Sequence, residues 1–407
     1  MNQLGQIRAD GNGKTAIISP KLALRKNNVP GLWMTSVEGL SHEEFHLTLQ
    51  PLLGEKPKEM VQRLATVLQK KNATVVRHEI FGSVAAHKET IQILQREIPD
   101  FDWPMMWIEN GKNTDSAISG MHVFAVAGTN VDTVRQEGEP IGRVFDDGQT
   151  RHCLLSGLKP ANPSVSNPAQ CREVFKNLEH ALHEVDMNMT DVARTWFFLD
   201  NIRSWYREFN NARIEFFKER KLLDGLLPAS TGIGGRNPGG VAIIGGAWAI
   251  QAAKSSVSIT EAPSPLQCSS MEYGSAFSRA VLVDTPLCHR LLISGTASIG
   301  PDGRSLHVGD LRRQLALTME VAREILASRG FNFSNVTRAT TYFKNLQEVL
   351  VFNAWQREHS LEFLPLVAVP ADICRQELLF EIELDAILLG KTNPTIFESV
   401  SSLTMEN

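Results

Sequence analysis

The sequence predicts an α+β fold built from tandem units, each a sheet covered on one face by two helices. Three observations predict it: an internal repeat, a switch from helical to strand periodicity inside each copy, and apolar strands framing each copy. Residues 170–201 align without a gap on residues 314–345. Gln170/Gln314, Leu182/Leu326, Asn188/Asn332, Val192/Val336, Arg194/Arg338 and Asn201/Asn345 are identical pairs.

In the later copy Leu315, Met319, Ala322 and Leu326 recur at helical spacing, and the run after Asn335 is rich in Thr, Tyr and Phe, as in a strand. A second helix with aromatic residues follows in each copy (SWYREFNNARIEFFKER and EVLVFNAWQREHSLEF). A Pro-containing loop and an apolar closing strand (GVAIIGGAWAI and ELLFEIELDAI) complete the unit. Ahead of the first helix we expect an apolar strand with small residues, MHVFAVAG at 121–128 and RLLISGTASI at 290–299. A fainter copy precedes these: FHLTLQP, EMVQRLATVLQKKN, ATVVRHEIFG, HKETIQILQREI and PMMWIE read as strand, helix, strand, helix and strand. A separate small α+β cap is the alternative for that stretch. The expected division is an N-terminal arm (1–42), a degenerate unit or cap (43–118), a second unit (119–260), a third unit (261–391) and a flexible tail (392–407).

With 407 residues, 43% of them hydrophobic and 21% charged, the chain can bury a large core. A formal charge of −4 with no basic block excludes the usual footprint of a nucleic-acid binder and favours a small-molecule substrate. No apolar run reaches the roughly 18 residues of a membrane helix, and the first twenty residues lack the core of a secretion signal, so a cytoplasmic location is expected. The five cysteines are scattered without C-x-x-C pairs, which points to neither disulfides nor structural zinc. GNGKT at 11–15 resembles a phosphate loop, but Arg8 stands where its first glycine belongs.

Over residues 119–390, seven motifs occur in order: ARTWFFLDNI, FNNAR, LPASTGIGG, YGSAFSRA, LLISGTAS, HVGDLRRQL and ADICRQELLFEIE. In this the chain resembles the Rid (YjgF-like) superfamily, and within it the chorismatases. The resemblance implies a pseudo-trimer of Rid-like units in one chain, a monomer that leaves higher oligomers open, with clefts between units. It also implies a cofactor-free enzyme cleaving the enolpyruvyl ether of chorismate, or of a related dicarboxylate, to pyruvate plus a cyclohexadienediol or a hydroxybenzoate.

The Rid family places a carboxylate-binding arginine in a Pro-Ala-Arg loop. Here Ser230 follows Pro228-Ala229, and Asp372 follows Pro370-Ala371, so neither loop supplies it. That weakens imine or enamine deamination, which stays the first rival reading only if an arginine from elsewhere replaces the missing one; a non-catalytic ligand-binding relative is the second.

The substrate's chemistry requires cations and a proton donor. The resemblance places the catalytic acid at Glu381, where Glu381, Glu383 and Asp385 alternate with apolar residues and share one strand face. Arg279 and Arg375 are the expected carboxylate clamps, with Arg213 reaching in from the second unit; Arg194, repeated as Arg338, reads as scaffold. Tyr273 and Thr231 are expected to bond the substrate. The resemblance further implies that Cys374, a candidate catalytic residue, and Ala297 shape the pocket and so tune what captures the oxocarbenium ion formed when the ether methylene is protonated. No metal is expected.

Overall fold

The computed structural model describes residues 7–9, 15–17, 22–38, 41–109 and 117–390. The tail at 392–407 and most of the GNGKT motif lie outside them. Strands β1 (Ile7–Ala9) and β2 (Thr15–Ile17) pair only with each other. The first unit runs β3 (Ala23–Val29), β4 (Leu32–Glu38), β5 (Glu43–Leu49), α1 (Pro57–Lys71), β6 (Thr74–Gly82), α2 (His87–Glu97), β7 (Met105–Ile108) and β8 (Ile118–Ala127). The second runs β9 (Val131–Gln136), β10 (Glu139–Asp146), β11 (Thr150–Leu158), α3 (Asn167–His183), β12 (Val192–Leu199), α4 (Tyr206–Glu219), β13 (Ala229–Gly234) and β14 (Ile243–Ala252). The third runs β15 (Ser258–Glu261), β16 (Ala280–Asp284), β17 (Cys288–Ala297), α5 (Leu311–Ala327), β18 (Val336–Phe343), α6 (Glu348–Glu358), β19 (Leu366–Pro370) and β20 (Phe380–Leu389).

The three six-stranded sheets share one topology: β3-β4-β5-β8-β6-β7, β9-β10-β11-β14-β12-β13 and β15-β16-β17-β20-β18-β19. The early stretch is therefore built like the other two units rather than as a separate cap. Even the irregularities repeat: the register slips at Val75/Arg77, Val192/Arg194 and Val336/Arg338, so these three arginines occupy one position.

Strand pairing corrects three expectations. The strand at 121–128 does not open the second unit. As β8 it bonds β5 and β6 and closes the first, which extends that unit past 118. An apolar strand of small residues suits either place, and only its partners decide. Residues 23–38, expected as part of an arm, are two strands of the first sheet. Finally, Thr195 pairs with Ser230 while its counterpart Ala339 pairs with Leu366, so Leu366 and not Asp372 corresponds to Ser230. Asp372 lies beyond the strand, paired with Arg203. A Pro-Ala pair does not by itself fix a register.

Within each unit an apolar helix stripe covers the sheet. On α5, Leu315, Met319, Ala322 and Leu326 are buried, and the Asp310 side chain caps the first turn by accepting from the Arg313 N–H. Between the units lies a further core drawn from all three. Phe81, Phe198 and Tyr342 hold one strand position and are fully buried there beside Trp196. Each such side chain contributes roughly 1.5–3 kcal/mol by leaving water, so the units behave as parts of one body.

Candidate active site

The clefts between units differ, and the one between the second and third units holds the charged chemistry. A cavity of about 320 Å³ opens there. Helix α4 contributes Tyr206, Arg207, Asn210 and Arg213, and β13 contributes Ser230 and Gly232. The third unit supplies Tyr273, Phe277, Arg279, Gly295, Ala297, Cys374, Arg375 and Glu381.

Glu381 sits on β20, between Ala297 of β17 and Tyr342 of β18. It is 5% exposed. Burial, and then the negative charge of Glu383, push its carboxyl up to about 8, against the pull of Arg194 and Arg279. At neutral pH it is a protonated acid facing a cavity. Space for it comes from Gly295, since a Cβ there would stand 2.2 Å from Glu381 Oε1. The three acids of this strand do share a face, and that face is buried against the other units rather than in water. Glu383 is held at about 2: burial alone would raise it, and Arg338 and Arg194 more than offset that.

Four arginines, Arg207, Arg213, Arg279 and Arg375, line the same cavity as this one acid, and the last three spend donors on neutral acceptors. Arg213 Nη2 donates to Asn210 Oδ1 at 2.6 Å, and its Nη1 makes a long 3.5 Å contact to Ser230 Oγ. Arg279 Nε and Nη2 both donate to the Cys268 carbonyl at 3.0 Å. Arg375 Nη1 donates to the Gly303 carbonyl at 2.8 Å. Those bonds fix the guanidinium planes without a direct ion pair, although Glu377 lies close enough to feel the charge of Arg375. Tyr273 lies within cation–π range of two of these arginines, its ring centre 5.3 Å from Arg279 and 5.1 Å from Arg375.

The cavity thus brings together Glu381, Cys374, Tyr273, Arg279, Arg375, Arg213 and Ala297. It does not include Thr231, whose hydroxyl is buried one layer behind, bonded to Glu383 and to the Gly295 N–H. Those bonds turn its hydroxyl away from the cavity, whose lining does not include it. Burial, followed by the Glu381 charge, pushes the Cys374 thiol up to about 12; it also shares a hydrogen bond with Tyr206, so it stays neutral and unsuited to nucleophilic attack. Arg194 and Arg338 form the buried ion pairs of a scaffold, as their repetition suggests.

Sequence reasoning missed Tyr206, Arg207, Asn210 and Gly295. A signal existed for the first: the chain has three tyrosines, and Tyr206, Tyr273 and Tyr342 all surround Glu381. Gly295 was legible as a lone glycine inside a strand, a mark of close approach. Among the described residues, no cluster of His, Cys, Asp and Glu is arranged to hold a metal, and no helix is long and apolar enough to cross a membrane.

Comparison with known proteins agrees with this architecture. The endoribonuclease L-PSP family model matches residues 271–388, which is the third unit. A 3-hydroxybenzoate synthase of Streptomyces hygroscopicus is 25% identical over 280 residues, covering 62% of this chain and 78% of that protein. A chorismatase of Streptomyces rapamycinicus is 27% identical over 215 residues, 47% of this chain and 63% of its own. A chorismatase crystal structure superposes with a TM-score of 0.60 at 17% identity, covering 77% of this chain and 93% of that one, which bears on the fold. Taken with the thrice-repeated sheet, these likenesses show that the third unit is a Rid/YjgF-like (L-PSP) family domain and that the chain has proteins named chorismatase and 3-hydroxybenzoate synthase among its relatives.

Proposed function

We propose that the protein is a chorismatase-type enzyme, cleaving the enolpyruvyl ether of chorismate or a closely similar dicarboxylate. The observation that carries this reading is the charge pattern: four arginines around one buried, protonated glutamic acid. Chorismate carries two carboxylates, which guanidinium forks bind in plane, and an electron-rich vinyl ether, which needs an acid. A cavity of about 320 Å³ suits a small ligand.

In the proposed step Glu381 gives its proton to the terminal methylene carbon, and the ether oxygen stabilises the resulting cation. Water adds to that cation, and the hemiketal collapses, breaking the bond between the former enol carbon and the ring oxygen. Pyruvate leaves with a cyclohexadienediol. Capture by the neighbouring ring hydroxyl instead closes a cyclic ketal. Breaking the ring's bond to that oxygen with loss of a ring proton aromatises the ring, and collapse of the remaining hemiketal gives pyruvate and a hydroxybenzoate with no net water. Cys374, Ala297 and Tyr206 border the place where capture occurs and would shape it.

The imine-hydrolase reading draws no support from the loops, because Met105, Ser230 and Leu366 occupy the three strand positions where the Rid arginine would stand. The test is to incubate the purified protein with chorismate and follow pyruvate through a coupled dehydrogenase. No pyruvate from the wild type would sink the proposal. Equal rates from wild type and Glu381→Gln would sink the role of the acid, and hydrolysis of 2-aminoacrylate in place of chorismate would favour the deaminase.

A further inference from the structure

The acid of the cavity stands on a column of buried charge that runs through all three units. Glu383, two residues along β20, accepts from Arg194 Nη2 (2.7 Å) and Thr231 Oγ1 on one oxygen and from Arg338 Nη2 (2.5 Å) on the other. The Thr231 oxygen in turn accepts from Arg194 Nη2 (2.7 Å) and from the Gly295 backbone N–H (3.0 Å). Gly295 is the residue against which the Glu381 carboxyl rests. On the far side, Arg338 also donates through Nη2 (2.7 Å) and Nε (3.2 Å) to Glu79 of the first unit, which pairs with Arg77 as well. Arg77 lies flat on Trp196 of the second unit, 3.3 Å from the ring centre.

This arrangement exceeds what packing requires. A buried carboxylate with two arginines is a costly way to fill a core, and a threonine placed to bond at once that carboxylate and the backbone beneath the acid has one rotamer that does both. We infer that Glu383 and Thr231 are positioning residues for Glu381, and that through Glu79 the first unit takes part in a cleft it does not line. Glu383 holds the Gly295 backbone through Thr231 and faces Glu381 with a fixed negative charge. Glu79 shares Arg338, so that this cation does not cancel the charge of Glu383. The groups facing Glu381 are Glu383 on its own strand, Arg194 of β12, Arg279 before β16, Tyr342 of β18, Tyr206 of α4 and Cys374 in the preceding loop. Only Glu383 among them is a standing anion.

The inference rests on Glu381 being the acid of the proposed reaction, and its test separates the two. The carbonyl stretch of the protonated Glu381 carboxyl is followed by infrared difference spectroscopy across pH in the full chain without substrate, Glu381→Gln identifying the band. Pyruvate release is profiled in parallel. In Glu383→Gln the band's midpoint is expected about one pH unit lower, since a facing charge is lost, and the high-pH limb of kcat/KM moves with it. Glu79→Gln shifts both the same way by less. Thr231→Val lowers kcat roughly tenfold with KM nearly unchanged, and Thr231→Ser restores it. If Glu383→Gln does not fold, the threonine pair decides. An unmoved midpoint with Thr231→Val as active as wild type overturns the inference. A shifted midpoint in a protein that releases no pyruvate keeps the positioning and refutes the substrate.

Discussion

The cleft between the second and third units and the cleft between the third and first are built from the same elements, yet the larger one is chemically poor. The latter measures about 540 Å³ against about 320 Å³. Its helix α6 presents Val349, Asn353 and Gln356 where α4 presents Tyr206, Asn210 and Arg213 at the same spacing. Its sheet presents Leu366 in place of Ser230. Gly120 stands where Glu381 does, with Val367 so near that an added Cβ would lie 2.7 Å from it. Gln50 spans this cleft, donating to the Leu366 carbonyl at 2.7 Å. One arginine and one glutamate line it, Arg357 and Glu362. Volume, then, does not set the candidate site apart from the second cleft; arginines gathered around a desolvated acid do.

The strongest way to break this contrast is to remove the acid. Glu381→Gln is expected to lower kcat for pyruvate release by about 10²–10⁴-fold, the usual worth of a general acid, with an unchanged far-UV spectrum. The next is to make one cleft like the other. Arg213→Gln should raise KM by roughly 10- to 100-fold, as a charge-assisted bond worth about 1.5–3 kcal/mol is lost. The reciprocal Gln356→Arg should leave steady-state kinetics unchanged, and a rise in activity there would show that the second cleft is live.

The pH dependence sharpens the comparison further. In the proposed reaction Glu381 acts only while protonated, so the rate is expected to fall as pH rises through about 8. Its folded-state value lies above its unfolded one. The protonated form is therefore favoured by folding, and that contribution is complete below the unfolded value and lost as pH rises through about 8. Melting curves should accordingly show Glu381→Gln gaining on the wild type between pH 5 and pH 9. The smallest effect is expected from Cys374→Ala: under about tenfold in rate, because a neutral thiol lends no nucleophile, with any change appearing in the ratio of products separated by chromatography.

The fold was largely legible because its signals are local. Helix stripes such as Leu315–Leu326 and alternation such as Phe380–Leu384 are set by period, and the repeat supplied the order. Partnership was not legible: β8 moved from one unit to another, and Pro370-Ala371-Asp372 misled because a dipeptide carries no register. The site divides along the same line. Glu381, Arg279 and Arg375 could be named from motifs, whereas Tyr206 and Asn210 become functional only when α4 is laid against a strand of another unit. Thr231 shows the converse. Its motif was noticed, but the direction of its hydroxyl depends on Glu383, 152 positions away.

The column of charge at the centre has a consequence for how such a molecule can change. In an assembly of identical subunits, any residue placed at the axis is placed there three times, and a lone carboxylate becomes a cluster of three that repel. Here Arg77, Arg194 and Arg338 keep one shared position, while the residue two steps on is Glu79, Trp196 or Thr340 in turn. Joining the copies in one chain frees each to mutate alone. An inactive variant of this protein cannot be rescued by mixing with intact chains, and each chain should bind one equivalent of substrate.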